Sequence, residues 1–349
     1  TYHSVMAGLV LRANQRKMLL KFSVKHHVGC VTRVAVCDKY LATTGSDERL
    51  FLFTAKDRGA QISDLGSLAP ASEVTAMAWH GNHFLVVGCA DGTVGVYRSR
   101  DWESVLAVEV HEKPIADLAL HPTGPLAVTV AMDRQLALID MSSGRLITRT
   151  KLPVGTVPVK LCFSPGNGSH IVLVHTFGVM VFETRTFQMV HTFAVERQPA
   201  NELHCGLFVT PEDNVEGASQ RHTFVVGDES GNLRYISIDV SSTPKEESAD
   251  QTSTGTQTFS APLQWTDIPQ TILDAQSHIK DETKKKYPTV HATRVKALGL
   301  RNGWLISADA NGCVLVGVVD TTSNLIRYVC SANCQGRITH LDVLAQPSQ

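Results

Sequence analysis

At 349 residues, 43% hydrophobic and 19% charged, the chain holds enough apolar material for a sizeable core and does not have the composition of a disordered protein. A formal net charge of -1 excludes a global electrostatic pull toward nucleic acid or a membrane surface, so any such binding has to come from a local patch. No apolar run approaches the ~18 residues a membrane-spanning helix needs.

Two β-like runs open the chain, Ser4–Leu11 and Lys17–Phe22. From Val31 onward a repeat takes over, in which a strand ending in small residues meets a tight polar turn and then an alternating strand. Its copies are Gly45–Phe53, Gly88–Tyr97 and Val130–Asp140, a turnless relative at Val174–Phe182, and weaker copies at Asp228–Ile236 and Asp309–Val316. The turn positions Asp47, Asp91, Asp133 and Thr176 are spaced by 44, 42 and 43 residues, inside the ~40–45 window of a four-stranded WD blade. The next turns, at Ser230 and Asn311, come after longer intervals that imply insertions. The third repeat shows the whole blade: Ile115–Leu120, the turn His121-Pro122-Thr123-Gly124, Leu126–Val130, the Asp133 turn, and Arg145–Arg149 after Ser143-Gly144. Gly or Pro interrupts almost every ten residues, which leaves only Thr271–Lys280 readable as a short helix.

Inner strands begin near Val31, Val74, Ile115, Val157, Leu203 and Val295, and a seventh is expected at Arg337–Val343. The last blade then lacks outer strands, which the N-terminal runs are placed to supply, removing an exposed sheet edge. The pattern predicts an all-β fold: a single seven-bladed WD-repeat β-propeller over 1–349, closed by N-terminal strands completing the last blade. Residues 241–285 form a flexible insertion in the fifth-blade region, opening on the polar tract Ser241–Thr258.

The polar residues point to structure and binding, not catalysis. Eight scattered cysteines show no C-x-x-C pair, and several lie in apolar runs, as expected of thiols in a reducing compartment. No H-E-x-x-H, G-x-S-x-G, Walker or dinucleotide fingerprint occurs, so no catalytic residue, metal, cofactor or small-molecule substrate is expected. No convergent polar set is expected in the central channel. Asp47, Asp91 and Asp133 each order their own turn by accepting backbone N–H bonds. His27 and His111 precede inner strands, where a WD fold pairs histidine with a turn aspartate. Binding candidates are a basic face of His27, Arg49, Lys113, Arg134, Arg294 and Lys296, and a patch, Lys284, Lys285 and Lys286, suited to RNA phosphates or a localisation signal.

At the third repeat, Asp101-Trp102-Glu103, His111, His121-Pro122-Thr123-Gly124, Leu126–Val130, Asp133 and Gly144-Arg145 resemble the p21-activated-kinase-interacting protein 1 family, which includes the yeast maintenance-of-killer WD protein. His291–Lys296 resembles that family's approach to its sixth blade, and the N-terminal strand pair fits as well. The resemblance implies a nucleolar, non-catalytic scaffold in large-ribosomal-subunit assembly and rRNA processing, docked on other assembly proteins and pre-ribosomal particles, with contacts to rRNA phosphates and none to membrane. The alternative it implies is a cytosolic adaptor that restrains a p21-activated kinase. The sequence departs from ordinary WD repeats at the tryptophan near each third-strand end, replaced by Phe53, Tyr97, Ile139, Phe182, Ile236 and Gly317. The His–Ser/Thr–Trp–Asp network is thereby incomplete, and only the third blade is expected to keep His111, Thr129 and Asp133.

Overall fold

The computed structural model describes residues 4–12, 15–56, 61–209, 221–239, 257–269, 272, 291–320, 322–334 and 336–343. Alternating apolar runs separated by Gly, Pro and Asp turns fold as antiparallel meanders. Blade one is β3 (Val31–Val36), β4 (Tyr40–Gly45), β5 (Leu50–Lys56) and β6 (Gln61–Leu68). Blade two is β7 (Val74–His80), β8 (Phe84–Cys89), β9 (Thr93–Arg98) and β10 (Ser104–Glu109). Blade three is β11 (Ile115–Leu120), β12 (Leu126–Ala131), β13 (Gln135–Asp140) and β14 (Arg145–Lys151). Blade four is β15 (Pro158–Phe163), β16 (His170–His175), β17 (Gly178–Glu183) and β18 (Met189–Ala194). Among the described residues blade five has three strands, β19 (Leu203–Val209), β20 (Arg221–Asp228) and β21 (Leu233–Asp239). Blade six is β24 (Val295–Arg301), β25 (Trp304–Asp309), β26 (Cys313–Asp320) and β27 (Leu325–Asn333).

Second strands are buried on both faces between neighbouring blades, as in the run Ala127–Ala131, whereas fourth strands such as β14 are largely exposed. The core is therefore a chain of inter-blade layers, for example Val130, Leu136 and Leu138 against Leu161, Leu173 and Met180. Every inner strand carries a register shift at its start, from Val31/Arg33 in blade one to Val295/Ala297 in blade six. Such a bulge re-aims the side chains beside it. Hydrogen bonds pin successive blades together: Trp79 Nε1 to Ala35 O at 3.1 Å, Thr75 Oγ1 to Ile115 O at 2.6 Å, and the Leu161 amide to Asp117 Oδ2 at 2.7 Å. Thiols do the same farther on, Cys162 Sγ to Gly206 O at 3.6 Å and Cys205 Sγ to Val295 O at 3.5 Å.

Two expectations need correction. Among the described residues the blade count is six, not seven: Arg337–Val343 forms no strand, and β1 (Met6–Arg12) and β2 (Lys17–Val24) pair only with each other. The backbone at 337–343 lies between β24 and β3 without joining either ladder. The Val36 amide donates to Asp342 Oδ2 at 2.8 Å, and a Cβ on Gly299 would lie 2.4 Å from Val343. The hairpin β1–β2 packs Leu9, Leu11 and Met18 with Ile338, Leu341 and Val343 of the blade-six cluster, while its Met6, Phe22 and Val24 pack on Leu41, Phe51 and Phe53 of blade one.

The second correction concerns 241–285. Within it, β22 (Gln257–Thr258) pairs in parallel with β18, and β23 (Gln264–Thr266) pairs in parallel with β27. Between them the Leu263 amide donates to Leu233 O at 2.7 Å, and Leu263 is buried. Residues 257–266 thus strap the outer edges of blades four, five and six. Residues 241–256, the Thr271–Lys280 helix apart from Ile272, and Lys284, Lys285 and Lys286 lie outside the described residues.

The strap also explains Gly317. A Cβ there would meet Trp265 at 2.8 Å, so the indole of β23 packs over the position where a WD repeat would place its own aromatic side chain. Phe53, Ile139, Phe182 and Ile236 fill the equivalent places as buried core residues.

Candidate docking face and the histidine–aspartate turns

The loops leading into inner strands and the turns between second and third strands lie at one end of the blades, tied together by backbone bonds such as Met132 N to Pro114 O at 3.0 Å. Within this layer His111 is 6% exposed; its Nδ1 meets Asp133 Oδ2 at 3.0 Å and its Nε2 meets Thr129 Oγ1 at 2.9 Å. Burial holds the His111 imidazole below its usual pKa, against the opposing pull of Asp133. Asp133 also accepts from the Gln135 amide at 2.9 Å, so one carboxylate orders the turn and fixes the histidine. Asp91 accepts only the local bond, from Thr93 N at 2.9 Å.

Blade one repeats the arrangement, which the sequence pattern predicts for blade three alone. His27 Nδ1 meets Asp47 Oδ1 at 2.8 Å, and its Nε2 meets Thr43 Oγ1 at 2.9 Å. Burial pushes Asp47 up, but His27 and the Val28 amide outweigh it and hold the carboxyl below its usual value. Thr43 completes it, and as in blade three the histidine, hydroxyl and carboxylate close the network without an indole.

These bonds set an expected result. Asp133→Ala should destabilise the fold by about 1–3 kcal/mol, because it strands buried donors. Thr129→Val should be non-additive with it, since both act on His111. Urea melts of the two single variants and the double variant measure this; strict additivity would mean that the three groups do not act as one network.

The expected basic face divides. Arg49 and Lys113 are exposed and Arg134 is half-buried. Glu48 and Arg134 occupy the left-handed region, with φ of 58° and 62°. The same turn position in blade two is Gly92, at φ +87° with room for no side chain, since a Cβ would sit 1.9 Å from His111 O. His27 is corrected: it is 4% exposed and spent on Asp47 and Thr43, so it offers nothing to a partner. Arg294 lies 3.7 Å from Glu229, which also bonds His204, and Lys296 sits at the bulge of β24. Burial and the neighbouring Arg294 lower the Lys296 pKa. Arg294 and Lys296 therefore belong to a separate, partly neutralised cluster between blades five and six.

Exposed apolar side chains at the same end escaped the sequence reading. Val28 is 91% and Val154 86% exposed, and Met132 and Val157 are also open. Period-2 alternation shows which strand residues are buried but says nothing of loop residues, and these four lie in loops and turns.

The axis carries a convergent polar set, contrary to expectation. Asp117, 5% exposed, takes the Leu161 amide and lies 3.1 Å from Lys160 Nζ. Burial lowers the Lys160 pKa, but Asp117 outweighs it and leaves the ammonium more basic than usual. Burial, with Arg33 and Lys160 nearby, holds His340 well below its usual value. Asp342 keeps an exposed surface yet is crowded by protein, and that desolvation lifts its carboxyl to about 6 despite the amides of Val36 and Val343. Asp117 neutralises Lys160.

Similarity to known proteins agrees with this architecture. The family model described as the RSE1/DDB1/CPSF1 second beta-propeller matches residues 9–243. A p21-activated protein kinase-interacting protein 1-like protein of Gallus gallus is 24% identical over 201 residues, covering 56% of this chain and 52% of the relative. Protein MAK11 of Saccharomyces cerevisiae is 22% identical over 334 residues, 90% of this chain and 73% of the relative. The chain thus spans about half the length of the Gallus gallus relative and more of MAK11. The crystal structure of the RRP9 WD40 repeats superposes with a TM-score of 0.66 at 11% identity, covering 97% of this chain and 86% of that one. The chain belongs to the family of that second beta-propeller model, as a WD-repeat β-propeller related to PAK-interacting protein 1-like proteins and MAK11.

Proposed function

We propose that this propeller is a non-catalytic scaffold of large-ribosomal-subunit assembly, working in the nucleolus and nucleus on pre-ribosomal particles and other assembly proteins. The observation that carries the reading is the turn-bearing end of the ring, whose loops and turns hold both the open Val28, Met132, Val154 and Val157 and the cations Arg49, Lys113 and Arg134. Exposed apolar side chains rimmed by cations on a rigid ring suit acidic, partly apolar protein segments, and the cations also suit RNA phosphates. The similarity to MAK11 over most of the chain supports this role, because the resemblance to its family implies ribosome assembly. Lys284, Lys285 and Lys286 remain the candidate for a further rRNA contact. We also infer that hairpin β1–β2 and residues 337–343 together close the ring between blades six and one.

A second reading is an adaptor that binds and restrains a p21-activated kinase, favoured by the name of the Gallus gallus relative. Sucrose-gradient sedimentation with and without RNase separates the two. The scaffold should run with fast particles and shift on RNase treatment; an adaptor should stay in slow fractions with kinase in both. Reversing charge at Arg49, Lys113 and Arg134 together should release the protein from the fast fractions at unchanged thermal stability. Wild-type sedimentation of that variant would place the docking surface elsewhere.

A further inference from the structure

Blade six builds its histidine turn differently from blades one and three. There the partner of the histidine is the turn aspartate, Asp47 or Asp133, whereas in blade six that turn position is Asn311. The carboxylate comes from Asp309, two residues earlier at the end of β25, where blade one has Gly45. A Cβ added to Gly45 would lie 2.6 Å from His27 Nδ1, so a side chain at this position is aimed at the histidine. His291 and Asp309 are 0% and 1% exposed, and Nδ1 stands 3.4 Å from Oδ2. Among the described residues neither of those two atoms has a hydrogen-bond partner, although both are buried. Their other atoms are held in place: His291 Nε2 by Ser307 Oγ at 2.8 Å, and Asp309 Oδ1 by the amides of Asn311 and Cys313 at 2.9 Å each. Cys313, the first residue of β26, brings its Sγ to within 4.8 Å of both donors.

We propose that His291, Asp309 and Cys313 bind a divalent transition-metal ion of the zinc class. Buried polar atoms without a partner are costly, so a second group is needed to satisfy them. A cation does so for the imidazole and the carboxylate together. Bonds of about 2.1 Å on a tetrahedron set neighbouring donors about 3.4 Å apart, and His291 Nδ1 and Asp309 Oδ2 already have that separation. Only the thiol has to close in, by a side-chain rotation at the start of β26. An imidazole, a carboxylate and a thiolate are ligands that zinc accepts, and their charges neutralise a dication inside the fold. Binding requires Cys313 as thiolate, its proton leaving to solvent. With Nδ1 on the metal, Nε2–H donates to Ser307 Oγ, which orients the ring as an outer-shell partner does. Three protein donors leave a fourth position for water, the pattern of an open site.

The test uses the purified chain, stripped with chelator and titrated with Zn2+ while proton release and thermal melting are followed. A single equivalent should bind at least ~10-fold more tightly to the wild type than to Cys313→Ser, with about one proton released and a metal-dependent rise in Tm. Co2+ in place of Zn2+ should give the visible absorption of a tetrahedral sulfur-containing site, lost in Cys313→Ser. The metal-free Cys313→Ser protein should melt as the metal-free wild type does, which separates loss of a ligand from loss of fold. Equal affinity in the two proteins, or no stoichiometric binding by the wild type below millimolar Zn2+, would overturn the site and leave His291–Asp309 as a lengthened version of the pairs in blades one and three.

Discussion

Deleting residues 1–25 should abolish cooperative unfolding and drive the protein into aggregates. The hairpin β1–β2 bridges two blades, with Leu9, Leu11 and Met18 on the blade-six side and Met6, Phe22 and Val24 on blade one. Full burial of one such side chain contributes about 1.5–3 kcal/mol. Met6 is buried and the others only partly so, which still leaves several kcal/mol for the set. A whole domain holds only about 5–15 kcal/mol, so this loss is decisive. The deletion also uncovers β27, Ile338 and the apolar side chains of blade one, and an open strand edge beside apolar surface promotes association. Thermal melting monitored by circular dichroism, with light scattering alongside, reads both effects. A deletion variant that stays monomeric and melts at the wild-type Tm would show that the ring closes without the hairpin.

Asp117→Ala should be the most destabilising single substitution considered, at about 3–4 kcal/mol. Its carboxylate accepts the Leu161 amide at 2.7 Å and neutralises Lys160 at 3.1 Å, both across the junction of blades three and four. Removal leaves a buried amide without an acceptor and a cation without its counter-charge. Losing one member of a buried ion pair costs about 3–5 kcal/mol. Lys160 is 37% exposed and can turn its ammonium toward water, which favours the lower half of that range. Asp117→Asn keeps one acceptor and should recover part of the loss. The double variant Asp117→Ala with Lys160→Met should also be milder than Asp117→Ala alone, because the stranded charge is gone. Chemical denaturation of the four proteins decides it. A cost below ~1 kcal/mol for Asp117→Ala would mean that packing alone holds this junction, as for an ordinary exposed pair.

Much of a blade was legible in the sequence because its signals are local. The Pro-Gly turn after Leu120, the alternation through β13 and the spacing of Asp47, Asp91 and Asp133 fall within single repeats, and the inner strands begin within one residue of their expected starts. The His111–Thr129–Asp133 grouping was legible for the same reason, all three lying within one blade. By itself the sequence determined the all-β repeat, the residues of each turn and the inward face of each strand, since these follow from side-chain period and turn chemistry over a few residues.

Only the tertiary structure decided what joins one blade to the next. The Asp117–Leu161 bond spans 44 residues and the Val36–Asp342 bond spans 306, and no repeat pattern encodes such partners. For the same reason Trp265 over Gly317 and the pairing of His291 with Asp309 escaped the reading: each joins side chains whose neighbours are set by the ring. The blade count turned on this too. Arg337–Val343 alternates like an inner strand, but a strand exists only where a partner's N–H and C=O groups are in register to pair with it, and among the described residues this segment joins no ladder.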